Sequence, residues 1–513
     1  MLLIYPPVAK PCEPPAGIAR LSGMLAKHGV EHRLLDANIE GLLHLLQMPM
    51  PAEKKDDIWS KRAFRNLEAN LSHLRDPGLY NHLDRYKRTV RDIGRVLSDV
   101  SPNGSTIGLV NYEQEGLSPL RSNDLLAASE RPELDPFYSY FRVRLEGLFS
   151  ENGPSVIGIS LNYLSQALCA FSMIGFIKRE LPHVKIIMGG GLVTSWLKSR
   201  TWKNHFAGLV DHLVAGPGEY QILAYLGIEP TEQRMPQPDY LSLPGEKYLS
   251  PGFVLPFSAS TGCYWSRCTF CPEQAERNPY IVLPPDQVIA DLNDLRHKTN
   301  PALVHFLDNA ISPALLDALA VHNIGILWYG FARIASRMTD PDFCAAIKQA
   351  GCVMLKLGIE SGDQSVLDAL EKGTSVEMAS AVLKNLKKAG IATYVYLIFG
   401  TPAENEASAR KTLEFTVRHR DSIDFLNLAI FNMPACGAAE PGIETSGFYE
   451  GDLSLYTNFT HPHGWDRKSV RLFLDDEFRR HPAISSILNN DLPFFSSNHA
   501  PFFAMGKPGR RRG

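Results

Sequence analysis

The chain has 513 residues, 44% of them apolar, which is enough for two or three domains with real cores. Its 52 Lys and Arg against 55 Asp and Glu leave a net charge of -3, which argues against a general nucleic-acid binder. No uninterrupted apolar run of about 18 residues occurs, and the stretch from Met1 to Pro7 is too short for a secretory signal, so a cytoplasmic protein without a transmembrane segment is expected.

Leu2-Leu-Ile-Tyr5, stopped by Pro6-Pro7, reads as a buried parallel strand. Residues 17–28 carry Ile18, Leu21 and Leu25 on one helical face, and Gly29 ends that helix. Residues 30–36 read as a second strand, giving the β-α-β opening of a doubly wound sheet. Further strands are expected at 156–160, at 184–188 before Gly189-Gly-Gly191, and at 211–215 before Gly216-Pro-Gly-Glu219. Glycines at strand ends put backbone N–H groups at the carboxyl edge, where such sheets bind ligands, although they also serve plain tight turns. Residues 45–152 read as a helical insertion covering the sheet or capping a substrate cleft. Its aromatic cluster, Phe137, Tyr138, Tyr140 and Phe141, fits core better than a cofactor box.

Residues 229–256 contain Pro230, Pro236, Pro238, Pro244, Pro251 and Pro256, and are expected to run extended over the surface. Beyond them, Cys263, Cys268 and Cys271 fall within nine residues of one loop. Three thiolates so placed can converge on one metal centre and leave a coordination position open. Core thiols and a structural zinc are the competing readings, but a zinc ribbon would want a second CxxC, which the chain lacks.

From residue 284 to 429 strand and helix patterns alternate, with polar residues at the strand ends: Asp308, Arg333, Glu360-Ser361 and Phe399-Gly400-Thr-Pro402. Such a run gives a parallel barrel or half-barrel with its site at the strands' carboxyl ends. Each rim residue has a plainer alternative: a helix N-cap for Asp308, a surface ion pair for Arg333, turns for the other two. In the tail, residues 469–480 read as an amphipathic helix, and His461 and His463 are too isolated a pair to suggest a metal site. Residues 506–513 are basic and expected to be disordered.

At the cysteine loop the chain resembles the radical S-adenosylmethionine (radical SAM) superfamily, whose common loop is CxxxCxxC with an aromatic before the third cysteine. Phe270 fills that place, while the first gap is four residues. The resemblance implies a 4Fe-4S cluster held by Cys263, Cys268 and Cys271, with SAM chelating the remaining iron. It places Phe270, Asp308, Arg333, Glu360, Ser361, Ile398 and Gly400 around SAM: Asp308 near the amino group, Arg333 on the carboxylate, Glu360-Ser361 at the ribose and methionine, Ile398 and Gly400 at the adenine. The family's GGE-like run is missing beside Asp308.

The N-terminal segment resembles the cobalamin-binding Rossmann-like domain that precedes many such cores, on Pro6-Pro7, Pro15-Ala-Gly17, Gly158 to Leu161, Gly189-Gly190 and Gly218-Glu219. That implies Ser160, Gly189, Gly190 and Gly218 at cobalamin, and the lack of a DxHxxG motif implies no His lower ligand.

The expected fold is α/β: a doubly wound Rossmann-like domain at 1–228, a linker at 229–256, a partial (β/α) TIM-type barrel at 257–435 and a small α/loop extension at 436–513. The expected activity is reductive cleavage of SAM to a 5′-deoxyadenosyl radical, with cobalamin-dependent methylation of an unactivated carbon in a small-molecule or lipid-like substrate. An electron donor such as flavodoxin or ferredoxin is implied. Rearrangement, cyclisation or oxidation without cobalamin is the alternative outcome, and a non-catalytic iron–sulfur or zinc protein the alternative class.

Overall fold

The computed structural model describes residues 1–150, 153–230, 235–436, 443–447 and 451–506. It divides into two compact units, Met1–Phe253 with Tyr449–Leu455, and Val254–Phe448 with Tyr456–Gly513. The basic end expected to be disordered, beyond residue 506, lies outside the described residues.

The first unit is built on five parallel strands: β1 (Leu2–Tyr5), β2 (Arg33–Asp36), β3 (Val156–Ser160), β4 (Lys185–Gly189) and β5 (His212–Leu213). Their order across the sheet is β2-β1-β3-β4-β5, the doubly wound pattern that reverses direction between β1 and β3. Ligand crevices in such sheets open at that switch point, outside the strands' carboxyl ends. Helix α1 (Ala16–Lys27) links β1 to β2, and Gly29 follows it at φ +68° in the left-handed region, as expected of a C-terminal glycine.

Helix α2 (Leu164–Glu180) is buried on almost every face. Gly175 lets it approach the helix Ser122–Glu130 so closely that a Cβ would lie 1.8 Å from the Ser129 carbonyl oxygen. The insertion is mainly helical, with one short hairpin at Ser105–Ile107 and Tyr112–Gln114. Its aromatic cluster is core: Phe137 and Phe141 are fully buried, and Tyr138 and Phe141 meet Phe176 of α2 at 6.0 and 5.8 Å between centroids. Full burial of each such ring is worth roughly 1.5–3 kcal/mol.

The proline-rich stretch departs from expectation. It is extended but docked: Asp239 N–H donates to the Ala19 carbonyl and Leu249 N–H to that of Pro11, while Tyr240, Leu243, Tyr248 and Leu249 are buried. The Tyr248 hydroxyl donates to the buried Asp36 carboxylate at 2.7 Å. Apart from a single 3-10 turn at Gly245–Lys247 and the start of the strand Val254–Phe257, the described part of the segment is irregular, and hydrogen bonds to α1 and β2 fasten it.

The second unit holds six parallel strands: β6 (Val254–Phe257), β7 (Leu303–Phe306), β8 (Trp328–Ala332), β9 (Cys352–Glu360), β10 (Ala392–Phe399) and β11 (Phe425–Ile430). They lie side by side in chain order, and β6 and β11 remain edges, so the barrel is partial. One sheet face carries Val304, Trp328, Leu355, Leu357, Val395 and Leu397, all buried. The other carries His305, Tyr329, Phe331, Lys356, Tyr394, Tyr396 and Ile398. Here Lys356 Nζ lies 3.0 Å from His305 Nε2, and the His305 and Tyr329 rings stack at 4.3 Å.

Two features of this unit escaped the sequence pattern. A short helix, α3 (Gln364–Ala369), follows β9, capped by the Asp363 carboxylate. The tail, read as one amphipathic helix and an apolar stretch, forms Arg467–Phe473 running into a π turn, then Pro482–Leu488 and α4 (Ser496–Gly506). Helix α4 lies against β9, and its Ser496 side chain hydrogen-bonds Tyr394.

Candidate active site

The cysteine loop is a closed excursion from the carboxyl edge of the six-stranded sheet. Its neck is a two-residue antiparallel pairing, Ser260 with Val282 and Thr261 with Ile281. Gly262 makes the first turn at φ +72°, and a Cβ there would sit 2.4 Å from the Pro279 carbonyl oxygen. Only glycine meets both demands. Asp308, at the end of β7, holds the same neck: its carboxylate accepts from Ala259 N–H at 3.1 Å and from the Ser260 hydroxyl at 2.5 Å. Burial pushes the Asp308 carboxyl above its ordinary range, and the hydrogen bonds from Ser260 and Ala259 oppose that rise. Asp308 is therefore not the N-cap of the next helix; Ser312 has that place.

Within the loop, Cys268 is buried, and Cys263 and Cys271 are half-buried; all eight cysteines are free thiols. Among the described residues no three His, Cys, Asp or Glu side chains are drawn into a ready metal cage. The thiols are near enough to interact, however. Burial raises the Cys271 pKa, N–H groups of Glu273 and Gln274 lower it, and the charges of Cys268 and Cys263 raise it again. Three soft thiolate donors on one loop, with backbone N–H groups aimed at a sulfur, suit an iron–sulfur cluster.

The loop rests on the turn after α3. Thr269 N–H donates to the Leu370 carbonyl at 3.2 Å, and the Trp265 indole N–H to that of Glu371 at 2.9 Å. Arg333, at the end of β8, turns into this contact. One guanidinium nitrogen is 3.7 Å from the Cys268 sulfur, another donates to the Lys372 carbonyl, and the group lies 4.3 Å above the Trp265 ring.

Glu360 ends β9 at φ +68°, unusual for a residue other than glycine, beside a register shift in the sheet. Its carboxylate pairs with Lys372 at 2.7 Å, and both side chains are about nine-tenths buried, with relative exposures of 11% and 8%. Gly358 makes room, since a Cβ there would be 2.3 Å from the Glu360 carboxylate oxygen. The Lys372 ammonium also lies 5.6 Å from the Phe270 ring centre.

The remaining predicted rim residues divide. Ser361 is buried; its hydroxyl faces Thr412 at 3.2 Å and accepts from Asp363 N–H, so the side chain holds the turn. Ile398 is half-exposed on the concave face. Gly400 turns at φ +77° and donates its N–H to Glu404, which also accepts from the Trp465 indole at 3.0 Å. Burial lifts the Glu404 carboxyl to about 7. His461 is bound to the Thr401 carbonyl at 2.8 Å and His463 N–H to His461, so this pair belongs to packing.

Four residues here were not singled out by sequence reasoning: Trp265, Lys372, Gly373 and Glu404. Lys372-Gly373, a charged residue before a glycine, was the one local signal.

In the first unit, Ser160, Gly189 and Gly190 meet at the ends of β3 and β4. Asn162, also not anticipated, joins them: its amide donates to the Ser160 hydroxyl at 3.0 Å and its carbonyl accepts from Gly191 N–H at 3.0 Å. Gly190 turns at φ +114°, with a would-be Cβ 2.3 Å from the Leu161 carbonyl oxygen. Gly218 stands apart, packed near Leu21 and Val214. Across the switch point Gly17 faces Ser160, whose hydroxyl would be 3.5 Å from a Cβ. These glycines lie against protein atoms, Gly190 on the Leu161 carbonyl and Gly189 on Val214, so they allow close packing at the strands' carboxyl ends.

Comparison with known proteins agrees with this geometry. Residues 257–416 match the radical SAM superfamily model. The chain is similar to an uncharacterized methyltransferase of Pyrococcus horikoshii, 23% identical over 305 residues, covering 51% of this chain and 64% of that one. It is similar to the bacteriochlorophyllide d C-12(1)-methyltransferase of Chlorobaculum tepidum, 28% identical over 202 residues, covering 36% and 42%. The matches thus span less than two thirds of these relatives. Among solved structures, the radical SAM methyltransferase TsrM from Kitasatospora setae, with cobalamin and a [4Fe-4S] cluster bound, shares the fold at a TM-score of 0.54 and 14% identity, covering 94% of this chain and 91% of that one. With the matched segment containing both the cysteine loop and the strands whose ends support it, the chain carries a domain of the radical SAM superfamily at residues 257–416.

Proposed function

We propose that this protein is a cobalamin-dependent radical SAM methyltransferase acting on an unactivated carbon of a small-molecule or lipid-like substrate in the cytoplasm, with a flavodoxin- or ferredoxin-type electron donor. The observation that carries the reading is the pairing, in one chain, of a three-thiol loop at the rim of a six-stranded parallel sheet with a separate β2-β1-β3-β4-β5 sheet. The methyltransferase relatives and the cobalamin-bound TsrM structure support it. When bound, the cluster and cobalamin supply the electron that cleaves SAM and the methyl group that is transferred.

The chain's own part is to bind, orient and exclude water. Cys263, Cys268 and Cys271 hold the iron and leave one position for SAM. Phe270, Ile398 and Gly400 line the SAM pocket, with Ile398 giving an apolar wall, while the Glu360 carboxylate is engaged by Lys372. Asp308, Arg333 and Ser361 face protein groups, so they act on that pocket from behind, by fixing the loop and the end of β9. Ser160, Gly189 and Gly190 edge the cobalamin crevice, Gly218 lies beyond Val214 from them, and no DxHxxG histidine serves the cobalamin's lower face.

The test is anaerobic production with iron, sulfide and hydroxocobalamin, followed by metal and cobalamin analysis and incubation with methyl-labelled SAM. About four irons per chain, stoichiometric cobalamin and label in cobalamin support the proposal. Iron without cobalamin refutes the methyltransferase part, and 5′-deoxyadenosine formation by Cys268→Ala refutes the cluster assignment.

A further inference from the structure

Around the cysteine loop one contact has the geometry of a wedge in a notch. Gly373 sits at φ +67°, and a Cβ there would lie 2.1 Å from Cζ2 and 2.4 Å from Cη2 of Trp265. The indole thus occupies the space a side chain would need. Its N–H is fixed on the Glu371 carbonyl, and its face carries the Arg333 guanidinium at 4.3 Å. Arg267 stacks less closely, at 5.2 Å. The guanidinium has further anchors in the Lys372 carbonyl, the Cys268 sulfur and the Tyr264 side chain. A planar cation so held keeps one N–H direction on the sulfur, which a mobile lysine would not do.

We propose that Trp265 and Gly373 are positioning residues that hold Arg333 on Cys268, and that this cationic N–H···S contact raises the reduction potential of the cluster bound by the loop. The inference rests on the cluster reading of the three thiols. Its physical basis is charge. One-electron reduction makes the cluster more negative, and a cationic donor at a ligand sulfur stabilises the reduced form more than the oxidised one.

The experiment is a potentiometric titration of the reconstituted holoprotein without SAM, with titanium(III) citrate as one-electron reductant and the reduced cluster read by electron paramagnetic resonance. Gly373→Ala pushes the wedge out, and Trp265→Leu removes it. Both are expected to keep their iron and to shift the midpoint potential to more negative values. The double variant is expected to match Trp265→Leu, because the clash disappears with the ring. Midpoints equal to wild type in both single variants overturn the proposal. Should either variant lose iron, Arg333→Gln leaves the wedge intact and decides the matter by the same shift. A wild-type protein that binds no iron–sulfur cluster refutes the cluster reading itself, an outcome separate from an unchanged midpoint in a loaded protein.

Discussion

Lys372→Met strands the Glu360 carboxylate in a site where both partners are about nine-tenths buried. Exposed ion pairs are worth about 0–1 kcal/mol, but removing one partner of a buried pair costs about 3–5 kcal/mol, since an uncompensated charge remains. The 2.7 Å contact and the exposures of 8% and 11% put this pair in the second class. The second change, Glu360→Gln, should restore most of the loss, because no bare charge is then left. Hydrogen exchange resolved to the peptide spanning residues 352–373 measures this locally. At about 1.4 kcal/mol per tenfold, the single variant should exchange about 150- to 4,000-fold faster there. The double variant should return to within about tenfold of wild type, a residual loss of about 1.4 kcal/mol. A single variant within about fivefold of wild type, about 1 kcal/mol, would refute the reasoning and place the pair with surface ion pairs.

Glu404 gives a pH signature. Its carboxyl is raised from 4.5 to about 7 by burial, so the folded chain holds a proton that the unfolded chain releases between those values. Its stabilising share is complete below pH 4.5 and is lost as pH rises to about 7, up to about 3 kcal/mol. Glu404→Gln should flatten that part of the melting temperature against pH; an unchanged profile would refute it. Gly262→Ala, facing the Pro279 carbonyl at 2.4 Å with φ +72°, should open the neck of the cysteine loop and lower iron content while circular dichroism stays native; full iron loading would count against the neck's role. Tyr248→Phe should cost about 1.5–3 kcal/mol in urea unfolding by removing a hydrogen bond to a charged group, and a free surface linker would show no change.

The sheets were readable because parallel strands buried on both faces are short apolar runs; Leu2–Tyr5 and Val156–Ser160 were located to the residue. The cysteine loop was equally plain, since the spacing of its thiols is local. The support under that loop was not. Trp265 finds Gly373, and Glu404 finds Trp465, across distances in sequence that no periodicity records. Arg333 shows the same limit: its place at the end of β8 was legible, but its direction is set by Trp265 and the Lys372 carbonyl. In the proline-rich stretch the prolines outweighed the apolar Tyr240, Leu243, Tyr248 and Leu249, and so a docked strap was read only as an extended run over the surface.

Helix α4 carries a consequence for synthesis. Its residues, Ser496–Gly506, lie against β9 and bind Tyr394 of β10, strands made more than a hundred residues earlier. A growing chain that has delivered all six strands still lacks the last piece of their packing until residues 496–506 are made and docked. Until then the nascent sheet shows an incompletely covered face, the state in which chaperones hold a chain. The matched segment ends at residue 416, before β11 and α4, so it stops short of the elements that complete this unit's packing.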